Sequence, residues 1–278
     1  PAVTQNYNIY KRIFSDVIAM PGLNKPEAYQ TWADLRDMFQ DLCANMGKSG
    51  DANTSQHEEF ENMLLVAHYL ANRSAAQGHA SLESVAAKLS VSLLRHIELI
   101  PADKAFYEAG MACKAVGWEN MAFVFLNRYL DLVEAIEEGS LDMLDNTDFA
   151  QTDIPFTFPL PEKPYLDERE HEEVKEWVLA VSMDQSVSQE LQMDERQTYE
   201  ASLVAANTGI RSLPCVISGY PVLKNKLDFK NPERAANKDD WNKFLMATKV
   251  SHSQQCKDVL KFIGEWCGAT PNPSYSFQ

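Results

Sequence analysis

Four side chains able to ligate a metal fall in the last 64 residues: Cys215, His252, Cys256 and Cys267. The His252-x-x-x-Cys256 spacing would bring two of them to one face of a helix, but no Cys-x-x-Cys knuckle accompanies them. Cys256 and Cys267 sit among Val259, Leu260, Phe262, Ile263 and Trp266, a setting for buried thiols rather than a zinc site. The expectation is therefore no metal and no cofactor. Gly47-Lys48-Ser49 ends like a phosphate-binding loop, yet Leu42 stands where the first glycine is needed. His171-Glu172-Glu173-Val174-Lys175 begins like a zincin helix, with Lys175 in place of the second histidine, and one ligand cannot hold a zinc. A cysteine nucleophile needs a base held beside it, and the sequence specifies none. No catalytic residue is assigned. His68 and His96 lie on or beside apolar helical stripes and read as satisfied core or boundary residues.

The elements that would position any site are helical through residue 137. Apolar side chains recur at spacings of three and four in six stripes: Ile9 to Met20, Ala28 to Met46, Phe60 to Leu70, Leu82 to Ile97, Phe106 to Val116, and Met121 to Ile136. No alternating strand pattern interrupts them. The last four helices read as two pairs, with start-to-start offsets of 45 and 36 residues, and Gly117 marks the turn inside the second. Such periods suggest a tetratricopeptide-like array of helical hairpins over 1–137, a scaffold that binds proteins. Ala109 and Ala122 stand where the two helices of a hairpin approach closely.

Charge marks the next boundary. The chain has 278 residues with 25 basic and 40 acidic side chains, a net −15. Residues 131–200 alone carry 20 acidic and 4 basic side chains, while 201–278 carry 6 and 10. An acidic chain is a poor ligand for nucleic acid, which is held by Lys and Arg on phosphates. Segment 138–167 adds Pro155, Pro159, Pro161 and Pro164 to its acids, so a linker or an extended surface strap is expected rather than a packed helix. Such a strap serves either as a solvated connection or as a docking strip for a basic partner. No window approaches a membrane span, the N-terminus lacks signal-peptide features, and five scattered cysteines are no disulfide framework, so an intracellular, soluble chain is expected. Pro1 fits either removal of an initiator methionine or a piece of a longer protein.

Residues 168–278 are expected to hold a helix followed by a small α+β domain with its core at about 210–270. Leu213 to Val222 is a Gly- and Pro-punctuated loop, Val222 to Phe229 alternates like a strand, and Asn237 is an N-cap for a helix through Trp241, Phe244 and Leu245. A final helix of about Gln255 to Cys267 closes at Gly268, with Pro271 and Pro273 beyond.

This arrangement resembles the U-box, the metal-free relative of the RING domain. Cys215-Val216-Ile217 matches its first loop, Pro221-Val222 its Asp-Pro-Val segment, and Trp241-x-x-Phe244-Leu245 its central helix. The gap between the first two is shortened to Ser218-Gly219-Tyr220, and the loop Thr248 to Gln255 lacks the family's proline. The resemblance implies a docking platform for ubiquitin or a ubiquitin-conjugating enzyme at Ile217, Trp241 and Phe244, with Cys215, Pro221, Val222, Leu245 and Cys256 as structural core. Exposure of Ile217 and Phe244 decides whether such a platform exists.

A second resemblance covers the whole chain. Val174 to Gln185 (VKEWVLAVSMDQ), Tyr199 to Leu203, Ser218 to Val222 (SGYPV), Ala235 to Ala247 (AANKDDWNKFLMA) and the ending SYSFQ resemble the C-terminal region of the largest subunits of intraflagellar transport B complexes. It implies the tail of a longer protein whose preceding parts are β-propellers and helical repeats. It also implies a scaffold or adaptor role in cilium assembly and ciliary transport, partners among the other transport subunits or cargo, and a location in the cytoplasm, ciliary base and cilium, along the axoneme. The U-box reading adds ubiquitin ligase or ubiquitin-binding activity as the alternative.

Overall fold

A computed structural model describes residues 2–50 and 54–268. Pro1, Pro271, Pro273 and the SYSFQ ending lie outside the described residues. The chain is mostly α, and each apolar stripe of the first 137 residues falls largely on one of α1 (Ala2–Ala19), α2 (Tyr29–Lys48), α3 (Ser55–Gln77), α4 (Glu83–Ser92), α5 (Ala102–Ala115) and α6 (Glu119–Glu138). The fourth stripe continues past α4 into a turn of 3-10 helix, Leu93–His96, and along the first the buried residues are Phe14 and Ile18 of α1, whereas Ile9, Ile13 and Met20 are exposed. After them come α7 (Glu168–Ser182), β1 (Lys226–Asp228), β2 (Ala235–Asn237), α8 (Lys238–Lys249) and α9 (Gln254–Cys267). The fold separates into two compact units that do not follow the sequential division at 137 and 167. Among the described residues, one comprises 2–50, 54–89, 216–218 and 225–268; the other comprises 90–215 and 219–224.

In the first unit α2 packs along α3, and the core between and beside them is aromatic. Phe39 meets Phe60 at 5.9 Å and Phe14 at 5.7 Å between ring centroids, all three fully buried. Burial of each such ring stabilises the fold by about 1.5–3 kcal/mol. Thr54 caps α3 by accepting the His57 backbone N–H at 3.1 Å. From Val66 to Ala76 every residue of α3 is buried, polar ones included, because α2 covers one side and α9 another. The paired hairpins are thus α2–α3 and α5–α6 rather than the expected α3–α4 and α5–α6. The side of α3 that an α3–α4 hairpin would use is taken by neighbours from elsewhere in the sequence. β1 and β2 pair antiparallel with Leu227 opposite Ala236, inside the expected strand region. Chain leaves β2 directly into α8, whose first turn carries Asp239 and Asp240 at its positive end. Asn237 holds the N-cap position with no side-chain cap bond, whereas Ser253 caps α9 by accepting the Cys256 N–H at 3.1 Å.

In the second unit α5 and α6 form a hairpin turned at Gly117, whose φ of 82° suits a residue without Cβ. The helices approach most tightly at Gly110, where an added Cβ would lie 2.5 Å from Leu126 Cγ. Ala109 and Ala122 are fully buried. Of the acidic stretch 138–167, Glu138 still belongs to α6, and the rest holds only one turn of 3-10 helix, Thr147–Phe149, and is otherwise irregular. It is nevertheless anchored. Phe149 packs on Phe106 at 5.7 Å and under the Arg128 guanidinium at 4.7 Å, and Arg128 donates to the Asp145 carbonyl at 2.9 Å. Asp153 takes Arg95 at 3.1 Å and the Leu203 N–H at 2.9 Å, and Asp103 accepts the Tyr165 N–H at 2.8 Å. Charge repulsion prevents a helix here, and a few buried anchors fix the strap in its place. α7 follows, capped by Asp167 and packed on α6 through Val174 and Val178, while the Lys114 ammonium lies 5.1 Å from the Trp177 ring centre.

Candidate functional site

The residues singled out by the U-box resemblance are placed as follows. Ile217 and Phe244 are both 0% exposed and Trp241 is 6% exposed. The platform expected at Ile217 and Phe244 is therefore corrected: these side chains fill a core and offer no surface to a conjugating enzyme or to ubiquitin. The physical reason lies in α3 and its partners. Cys215, Pro221 and Cys256 are buried, whereas Val222 and Leu245 are half-buried.

What the first unit builds around residues 216–218 is a polar cradle. His68 and Asn72 lie one turn apart on α3 and are fully buried. His68 Nε2 sits 2.7 Å from the Val216 carbonyl oxygen, and Asn72 Nδ2 donates to the Val216 and Ile217 carbonyls at 3.2 and 3.0 Å. Because a carbonyl only accepts, His68 carries its proton on Nε2. Burial pushes the His68 pKa down to about 3, helped by the positive charges of Arg36 and Arg234, and the hydrogen bond to Val216 opposes it only in part. The imidazole is neutral at physiological pH. Val216 N–H donates to the Ala235 carbonyl at 2.9 Å, tying the same segment to β2.

Ser218 completes the cradle from the other side. Its hydroxyl donates to Asp240 Oδ2 at 2.6 Å, and Lys88 Nζ lies 3.2 Å from Asp240 Oδ1. Ser218 and Asp240 are fully buried. A serine bonded to a carboxylate and sealed from solvent has no route to a substrate, so this cluster orders the backbone rather than performing acyl transfer. A second cluster ties α2 to α9. Arg36 lies 3.3 Å from Asp258, stacks its guanidinium 4.3 Å from the Phe262 ring centre, and shares Asp258 with the Tyr29 hydroxyl, which donates to it. Burial, followed by the bond to Asp258, raises the Tyr29 pKa. Phe262 and Trp266 stack at 5.6 Å, His68 lies against both, and Arg234 covers Trp266 at 4.1 Å.

The cysteines are all reduced and buried. Burial raises the thiol pKa of Cys256 and pushes those of Cys43 and Cys267 up to about 12, so these thiols stay protonated and poorly nucleophilic. Cys256 Sγ faces the Ala75 carbonyl of α3 at 3.9 Å. Among the described residues no group of three or more His, Cys, Asp or Glu is arranged to hold a metal ion. Among them also, no helix is long and apolar enough to cross a membrane. His171 hydrogen-bonds through Nδ1 with the Tyr129 hydroxyl at 3.0 Å and belongs to the α6–α7 packing. Sequence reasoning reads His68 as a satisfied core or boundary residue; it is buried with Nε2 on the Val216 carbonyl, while its Nδ1 has no hydrogen-bond partner among the described residues. The same reasoning misses Asn72, Ser218, Asp240, Lys88 and Arg36. A sequence signal exists for Asn72 alone: it falls among polar residues in the second half of α3, beside the apolar stripe Phe60 to Leu70.

No protein-family profile matches the chain. It is similar over its whole length to intraflagellar transport protein 172 homologs, at 65% identity over 278 residues in both Mus musculus and Homo sapiens. Similarity to the Drosophila melanogaster homolog is 44% over 273 residues, 97% of the chain. The chain spans 16% of the length of the two mammalian relatives and 15% of the fly protein.

Proposed function

We propose, on the premise that this chain belongs to the intraflagellar transport 172 family as part of its C-terminal region, that it serves as an adaptor segment through which an intraflagellar transport complex holds partner proteins. The observation that carries this reading is end-to-end similarity at 65% identity to proteins named for intraflagellar transport. Paired helices followed by a small α+β part support a binding rather than a catalytic role. The place of action is the cilium and its base, and the partners are other transport subunits or cargo. A ubiquitin-conjugating enzyme would need a surface other than Ile217 and Phe244, because both are buried.

The test is complementation. Ciliated cells lacking the parent gene receive either the full-length parent protein or the same protein without this 278-residue stretch, at matched expression. Shorter or absent cilia and loss of a defined subset of co-purifying transport subunits are expected from the truncated form. Cilia of normal length with an unchanged partner set would overturn the adaptor reading.

A further inference from the structure

α6, the strap and α7 border a groove of about 480 Å³ within the second unit. Leu130 and Val133 of α6 and Pro164 and Leu166 of the strap give it an apolar floor. Its rim carries two acidic pairs at helical spacing, Glu134 and Glu137 from α6 and Glu168 and Glu172 from α7. All four glutamates are exposed; Lys175 and the half-buried His171 are the basic residues of the lining.

The acidity continues beyond the groove. Glu134 also borders a neighbouring cleft of about 350 Å³ lined by Asp131, Glu138 and Asp145, beside which Met143 stands 86% exposed. Asp131 there has its pKa raised, first by burial and then by Glu134, Asp145 and Asp148, against the opposing pull of Arg128. Carboxylates on this side of the unit are close enough to repel one another, and a bound cation relieves that repulsion.

We propose that the α6–α7 groove docks a basic amphipathic segment of a partner protein, its apolar side chains on Leu130, Val133, Pro164 and Leu166 and its Lys or Arg side chains on the glutamate rim. An apolar floor inside a rim of one charge sign selects both features together. Nucleic acid and anionic lipid surfaces carry the wrong charge for it. A bare metal ion would leave the floor unused. The inference rests on the adaptor reading for the origin of the partner and supplies the contact that reading requires.

The experiment is fluorescence anisotropy of a labelled synthetic helix, about 18 residues long with Leu at three- and four-residue spacing and Lys or Arg elsewhere, titrated with the 278-residue chain. Saturable binding that weakens with salt is expected. Glu134→Lys combined with Glu172→Lys, both at exposed positions, should weaken it by about tenfold or more, since rim charges steer and hold a basic ligand. Leu166→Ser should also weaken it while leaving the salt dependence unchanged. A shuffled peptide of identical composition that binds equally well would overturn the groove in favour of charge alone. Equal affinity for the double variant, or no binding to the unmodified chain, would overturn it outright. Neither of those results touches the complementation test, so failure of the groove and failure of the adaptor reading are distinguishable.

Discussion

Acidification should loosen the first unit through His68, by an amount that can be worked out beforehand. His68 is fully buried, and its folded pKa is pushed down to about 3 from an ordinary 6.5. Between those two pH values protons bind the unfolded chain and not the folded one. Stability is therefore complete above pH 6.5 and falls as the pH drops through that window. At pH 5.0, 1.5 units below 6.5, the loss from this residue is about 2 kcal/mol, at 1.36 kcal/mol per unit. The figure depends only on the folded pKa lying well below 5, not on its particular value. His68→Gln removes the titration while keeping an N–H donor for the Val216 carbonyl. Urea unfolding followed by tryptophan fluorescence at pH 7.5 and 5.0 in both proteins gives the difference directly. His96, whose pKa is also pushed down to about 3 by burial and by Arg95 and Arg211, is present in both and cancels. Wild type should lose about 2 kcal/mol more than His68→Gln over this interval. Equal losses, or an NMR titration of the His68 ring centred near 6.5, would show that the imidazole is not held neutral and would refute the cradle described above.

Other substitutions probe separate parts of the fold. Cys256→Arg puts an unpaired charge against the Ala75 carbonyl in a fully buried position and should cost about 3 kcal/mol or more, measured as a fall in Tm; an unchanged Tm would refute the burial. Gly110→Ala forces a methyl to within 2.5 Å of Leu126 Cγ and should destabilise the α5–α6 hairpin by about 1–3 kcal/mol, read by chemical denaturation. Asp153→Ala leaves the nearly buried Arg95 without its carboxylate and Leu203 without an acceptor. Limited proteolysis should then cut 138–167 faster than in wild type, and an unchanged cleavage rate would remove the anchor role of Asp153.

The sequence by itself determined the local elements. Apolar spacing of three and four marks the helical segments of the first 137 residues, but it does not always name the covered face: along the first stripe Ile9, Ile13 and Met20 are exposed, while Phe14 and Ile18 of α1 are buried. Crowded carboxylates and prolines determine that 138–167 is not a helix, and alternation in Val222 to Phe229 contains the β1 strand. Only the tertiary structure decided which faces meet. A stripe requires a covering surface without naming it, so the α2–α3 pairing was not legible from repeat offsets. The buried carbonyls of Val216 and Ile217 meet His68 and Asn72 from 148 and 145 residues away, a distance no local pattern encodes. Ile217 and Phe244 show the same limit most sharply. An isoleucine and a phenylalanine suit an exposed docking platform and a closed core equally well, and burial of their surroundings chose the core.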